Sequence, residues 1–118
     1  MVTVAGVQAP NIDFGESTTL KGVTFIAAKF DGILGMAFPA ISVDKMVPVY
    51  QAMYDQGLVE SNSFSFALTA KSGQEGSKLV LGGVNPDYAA SEWNYSPLVS
   101  ATYWMIQMDS MSLNGVEV

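Results

Sequence analysis

The chain has 118 residues and a formal charge of −6, from eleven Asp and Glu against five Lys, with no Arg, no His and no Cys. Phosphate recognition needs a basic patch, so nucleic acid is excluded as a partner. The missing His and Cys remove the common zinc and iron–sulfur ligand sets together with Ser-His and Cys-His catalysis, and no cofactor or metal is expected. Hydrophobic residues make up 49% and mean hydropathy is +0.27 against only 14% charged residues. Even so, Gly, Asp, Lys or Ser interrupts every apolar stretch short of a membrane span. A surplus of apolar surface of this kind normally faces other protein.

From the amino terminus, Val2-Thr3-Val4 alternates, Ala5-Gly6 offers a turn, and Val7 restarts a strand running towards Phe14. Residues 15–22 read as a polar link. The apolar stretch 23–28 fits a strand or a short helix equally well. Ile33-Leu34, between Gly32 and Gly35, reads as a short buried strand. Met46, Val49, Tyr50, Met53 and Tyr54 recur at helical spacing and predict one main helix over about 43–56. Ser42 is its expected N-cap, Asp44 suits the positive end of the helix dipole, Pro48 falls near the first turn and Gly57 stops it.

Beyond residue 63 the period returns to two. Phe64, Phe66 and Leu68 alternate with polar or small residues, and a loop at 73–76 leads to Leu79 and Leu81, closed by Gly82-Gly83, so a hairpin is expected. Asn85-Pro86-Asp87 is turn chemistry. Trp93 and Tyr95 alternate with Glu92 and Asn94 in a further expected strand. Residues 103–113 alternate throughout and end at Asn114-Gly115, the strongest short hairpin signal in the chain. The fold class is mostly β with one helix.

Phe30-Asp31-Gly32-Ile33-Leu34-Gly35 is a signature of the pepsin-like aspartic proteases. Pro39-Ala40-Ile41-Ser42-Val43, Asp55-Gln56-Gly57-Leu58-Val59, Phe64-Ser65-Phe66, Leu79-Val80-Leu81-Gly82-Gly83, Tyr103-Trp104 and Met108-Asp109-Ser110 follow in the family's order. Each motif alone is weak, but the ordered set resembles the family's central third over essentially all 118 residues. The resemblance implies part of a bilobal acid-protease fold. Residues 1–62 correspond to the back of the amino-terminal lobe, 63–98 to the strands joining the lobes, and 99–118 to the start of the carboxy-terminal lobe. Met1 falls where the family has a strand residue, so a recut or truncated start is expected, and the residues after it read as strand and not as a secretory signal.

Aspartic proteases work through two carboxylates that share a water and one proton, their pKa values pushed apart by like charge. Each lies in an Asp-Thr/Ser-Gly triplet, and this chain contains neither. Asp31 precedes Gly32 but runs on into Ile33-Leu34, so its expected role is structural, accepting backbone N–H groups in a tight turn. No catalytic residue is assigned. The resemblance implies that Phe25, Phe30 and Ile33 wall the apolar pockets gripping substrate side chains, and that Tyr103 lines the leaving-group side of the cleft. Large rigid apolar side chains suit that task, and equally suit a core. Trp93, Phe64 and Phe66 are assigned to the core.

The expected function is therefore part of an aspartic endopeptidase acting on peptides or proteins at acid pH in a lysosomal, vacuolar or secreted setting, the chain alone being inactive. The alternative is a non-catalytic peptide-binding or interaction protein on the same fold. With open strand edges and few charges, the chain alone is expected to self-associate. Asn94-Tyr95-Ser96 has the acceptor pattern for N-glycosylation.

Overall fold

Turn chemistry sets the architecture of the computed structural model, which describes residues 1–19, 22–23 and 27–118. Strand β1 (Val2–Val4) pairs antiparallel with β2 (Val7–Ala9), Val4 opposite Val7. The two residues between them, Ala5 and Gly6, take φ of 49° and 83°. Positive φ at both turn positions is the twist that suits a two-residue hairpin. The same geometry recurs at the far end, where Asn114 and Gly115 (φ 52° and 81°) join β5 (Ser112–Leu113) to β6 (Val116–Glu117). The expected Asn-Gly hairpin is present.

The middle ribbon pairs β3 (Phe64–Ala67) with β4 (Lys78–Leu81), Phe64 opposite Leu81. Its connecting loop is tied by Thr69, whose N–H donates to Ser77 Oγ at 3.1 Å and whose hydroxyl donates to the Gln74 carbonyl at 3.2 Å. Past β4, the Gly82 N–H extends the pairing to the Ser63 carbonyl at 2.7 Å. Gly82 sits at φ +83°, and a Cβ there would lie 2.5 Å from the Val59 Cβ. Only glycine lets the backbone pass this close to Val59.

The helix is shorter than the periodicity predicts. Helix α1 spans Val49–Asp55. Pro48 is its N-cap rather than a first-turn residue. Val43–Lys45 forms a separate 3₁₀ turn in which Asp44 and Lys45 have φ of 51° and 54°. Proline disfavours the helical conformation in the residue before it, so a helix cannot run smoothly through Val47 into Pro48. Ser42 accordingly makes no side-chain cap. The carboxy-terminal end behaves as expected: Gly57 turns left-handed at φ 69°, and the Gly57 and Leu58 N–H groups donate to the Tyr54 and Met53 carbonyls, each at 2.9 Å. Those two bonds satisfy carbonyls that would otherwise be orphaned. Tyr50, Ala52 and Met53 of α1 are buried with Ala9 of β2, and Gln56 Nε2 donates to the Pro10 carbonyl at 3.0 Å. Tyr54, expected on the same apolar face, is exposed.

Several expected strands are not formed. The strand from Val7 stops at Ala9, and Asn11 at φ 53° breaks the extended course. Ile33 and Leu34 are neither paired nor buried, Ile33 being 78% exposed. Residues 92–95 are irregular, and within 103–113 only Ile106, bridging to Leu98, and Ser112–Leu113 pair. Alternation marks a segment that can bury one face, but a strand forms only against a partner, and over most of these segments the pairing is limited to isolated contacts such as the Val99 N–H donating to the Met105 carbonyl at 2.9 Å. Of the stretch 23–28, Thr24, Phe25 and Ile26 lie outside the described residues.

The accessible surface is 9965 Å², against about 6,200 Å² for a folded monomer of this mass. The Cα radius of gyration is 17.4 Å, against about 13–14 Å for a domain of this length. The molecule is open, with apolar faces uncovered.

Two substitutions test these backbone assignments through the urea midpoint in dilute solution. Gly82→Ala combines positive φ with the Val59 collision and should lower stability by more than about 1 kcal/mol. Ala5→Asn places a residue that tolerates the left-handed region in the first turn and should raise stability by a fraction of about 1 kcal/mol. An unchanged midpoint for Gly82→Ala would show that Val59 does not crowd that position.

Candidate functional site

Residues 30–33 run past residues 14–17, and the two segments wall an open cleft of about 490 Å³. Phe14, Phe30 and Ile33 supply its apolar surface, Glu16 and Asp31 its charge, and Gly15, Gly32 and Ser17 complete the wall. Phe30 is 52% exposed, so its ring presents a face to the cleft instead of filling a core. The structure thus brings two of the four expected substrate-contacting residues, Phe30 and Ile33, into one concavity. Phe25 lies outside the described residues, and Tyr103 is not on this wall.

Tyr103 is held some way along the chain from that cleft by its neighbour, Trp104. The indole Nε1–H of Trp104 donates to the Met36 carbonyl at 2.6 Å, and the Phe38 N–H donates to the Thr102 carbonyl at 3.2 Å. The Trp104 ring lies against Phe38, centroids 4.6 Å apart, and meets Phe64 edge-on at 5.2 Å. Tyr50 completes the cluster, 5.1 Å from Phe64 and 6.5 Å from Trp104, with its hydroxyl 3.5 Å from the Ala37 carbonyl. Edge-to-face and tilted geometries at these separations are the favourable ones for aromatic rings. The segment leaving the cleft is therefore fastened to the segment bearing Tyr103, which is 63% exposed. A smaller cavity of about 150 Å³ between Gly35, Ala37, Phe38 and Pro48 lies along that path.

Sequence reasoning missed Trp104 as the organising residue. The available signal was the Tyr103-Trp104 pair, in which an indole N–H needs an acceptor when its ring is packed. Phe64, expected in the core, joins the cluster but is only half-buried. Phe66 and Trp93, also expected in the core, are 57% and 51% exposed. They line a shallow cavity of about 60 Å³ with Tyr88, and the Phe66 ring meets Phe64 edge-on at 5.9 Å.

The cleft sets apolar side chains beside two carboxylates. A dyad, in contrast, needs two carboxylates sharing a proton, and neither Asp31 nor Glu16 belongs to an Asp-Thr-Gly or Asp-Ser-Gly triplet. Among the described residues, no group of three or more His, Cys, Asp or Glu converges as a metal site would require.

The family model for eukaryotic aspartyl protease matches residues 1–118. The chain belongs to that family. Cathepsin D of Clupea harengus is 52% identical over 114 residues, covering 96% of this chain and 29% of the relative. Cathepsin D of Gallus gallus is 44% identical over 117 residues, covering 98% and 29%, and pepsin II-1 of Oryctolagus cuniculus is 40% identical over 114 residues, covering 97% and 29%. The chain spans about 29% of the length of these curated relatives.

The aromatic cluster gives two expected outcomes. Trp104→Phe keeps a ring against Phe38 and Phe64 but removes the indole donor, and should lower stability by about 0.5–1.5 kcal/mol. Trp104→Ala, which also loses the packing, should cost distinctly more in the same urea titration. Burial raises the Tyr50 pKa above its ordinary value. The unfolded chain then loses this proton first as pH rises, so stability is full below about pH 10 and falls as pH climbs towards the folded pKa. Tyr50→Phe should flatten that alkaline decline. A decline of undiminished steepness would place its cause elsewhere.

Proposed function

We propose that this chain is a substrate-gripping part of an aspartic endopeptidase, the longer protein hydrolysing peptide bonds at acid pH through a water activated by two Asp carboxylates. The observation that carries the proposal is the family match over residues 1–118, joined to a cleft that unites Phe30 and Ile33. In this reading Phe25, Phe30 and Ile33 hold the substrate side chain on one side of the scissile bond and Tyr103 holds the leaving side. The chemistry that activates water and protonates the leaving amine comes from triplets that this chain does not contain. Residues 1–62, 63–98 and 99–118 would serve the amino-terminal lobe, the interlobe strands and the carboxy-terminal lobe, and the uncovered faces of Ile33 and Leu34 would pack against further strands of the longer protein. A peptide or protein substrate and a lysosomal, vacuolar or secreted setting follow from the same reading.

A second reading keeps the cleft and drops the chemistry: a peptide-binding protein on the protease fold. The specific feature favouring it is an open apolar cleft in a chain without either triplet. Reading frames flanking the coding segment separate the two, Asp-Thr-Gly or Asp-Ser-Gly codons on both sides favouring the peptidase.

The purified 118-residue chain should not cleave a fluorogenic aspartic-protease substrate at acid pH. Pepstatin-sensitive turnover lost in Asp31→Asn would overturn this expectation; the carboxylate of Asp31, expected to accept backbone N–H groups, is exposed and accepts none among the described residues. In the longer protein, Phe30→Ala and Tyr103→Ala should each lower kcat/KM by about ten- to two-hundredfold, the range for apolar pocket contacts. Tyr88→Ala, outside the cleft, should do little. Equal losses at all three positions would show that the two aromatics stabilise the fold and do not touch substrate.

The same uncovered surface sets the behaviour of the chain in solution. Ile33, Val23, Met108 and Leu113 are exposed, and charges are few. Light scattering should report species well above the 12.6 kDa monomer. A sharp monomeric peak with well-dispersed amide resonances at high concentration would contradict this.

A further inference from the structure

One motif of the chain has no part in the cleft. Asn94-Tyr95-Ser96 is the only Asn-x-Ser/Thr triplet among its five asparagines. The pattern matters because the hydroxyl two residues on helps present the Asn amide to a transferase, which requires an accessible surface segment. The alternation of residues 92–95 would place Asn94 in a paired strand, but residues 89–97 are irregular and Asn94, Tyr95 and Ser96 are all exposed, Tyr95 to 88%. Among the described residues the Asn94 amide takes part in no side-chain hydrogen bond. Among the described residues nothing competes for its nitrogen or closes over it.

The surroundings supply a second reason. Trp93, Phe66 and Tyr88 leave a shallow aromatic surface of the ribbon β3–β4 open beside this segment. Exposed aromatic side chains grouped on a chain with few charges are association hazards unless something covers them. A bulky hydrated glycan on Asn94 would stand next to that patch and shield it.

We propose that Asn94 is an N-glycosylation site, the glycan screening the aromatic surface formed by Trp93, Tyr88 and Phe66. The inference rests on the reading that the longer protein enters the secretory route. In the modification Asn94 Nδ2 forms a bond to the anomeric carbon of a lipid-pyrophosphate-linked oligosaccharide. The lipid pyrophosphate leaves, and one amide proton passes to a base of the transferase. Pro97 directly follows the acceptor hydroxyl and biases Ser96 towards extended backbone. That restriction opposes the turn an acceptor must make, so transfer is partial.

The test routes the 118-residue chain through the secretory pathway of eukaryotic cells behind a cleavable leader, and reads gel mobility only on chains whose leader has been removed. Transfer acts on the emerging chain, so poor folding does not obscure the readout. The wild type should give two bands, the slower collapsing onto the faster after peptide-N-glycosidase treatment. Asn94→Gln and Ser96→Ala should each leave only the faster band, while Asn114→Gln should keep both. Pro97→Ala should move most of the chain into the slower band. The glycosylated fraction should also remain soluble where Asn94→Gln aggregates. A wild type running wholly as the faster band overturns the proposal, as does a slower band that survives Asn94→Gln. Peptidase assays are not involved, so failure of the endopeptidase reading would leave these bands unchanged.

Discussion

The hydrogen bond from the Trp104 indole to the Met36 carbonyl, with the ring contacts around it, is the interaction on which the tertiary arrangement depends. Ribbons of two strands are marginal by themselves, and only Ala9, Tyr50, Ala52 and Met53 are buried among the described residues. Trp104 meets Phe38 and Phe64 directly and Tyr50 at longer range, so one side chain gathers the segment after the cleft, the middle ribbon and the helix. Each aromatic pair adds about 0.5–1.5 kcal/mol beyond its burial. In a fold with so little buried surface, a few such pairs weigh as heavily as a conventional core. The half-exposed position of Trp104 also leaves its hydrogen bond open to competition from water, which limits what the clamp can hold.

This arrangement explains the character of the cleft. Beyond Ile33 the backbone is held through residues 36–38, while Phe30 and Ile33 remain in view of solvent. A pocket wall of this kind has shape and chemistry but little support behind it. Sites that discriminate side chains need their walls held to within a fraction of an ångström by packing from the rear.

Where local chemistry decides structure, the sequence was legible. Asn114-Gly115 and Ala5-Gly6 produce hairpins because the turn residues adopt positive φ with little help from elsewhere. Gly57 ends α1 because it can turn left-handed. Pro48 shortened the helix for a reason also present in the sequence, the restriction that proline places on Val47, which helical periodicity alone overlooks. Phe30 and Ile33 line one cleft, as residues three apart on a single segment readily do. Residues 92–95 and most of 103–113 carry strand alternation without forming strands, since pairing is a non-local property. Trp104 escaped notice because its acceptor lies 68 residues away, a separation that no local pattern encodes.

Hydrogen exchange at the two indole N–H groups tests the central claim most directly, that Trp104 fastens residues 36–38 to residues 102–104. In native conditions the Trp104 indole proton and the Phe38 amide proton should exchange slowly and with matched protection, both bonds opening in one local event. The Trp93 indole should exchange freely beside them. A Trp104 indole that exchanges as fast as that of Trp93, with an unprotected Phe38 amide, would contradict the account.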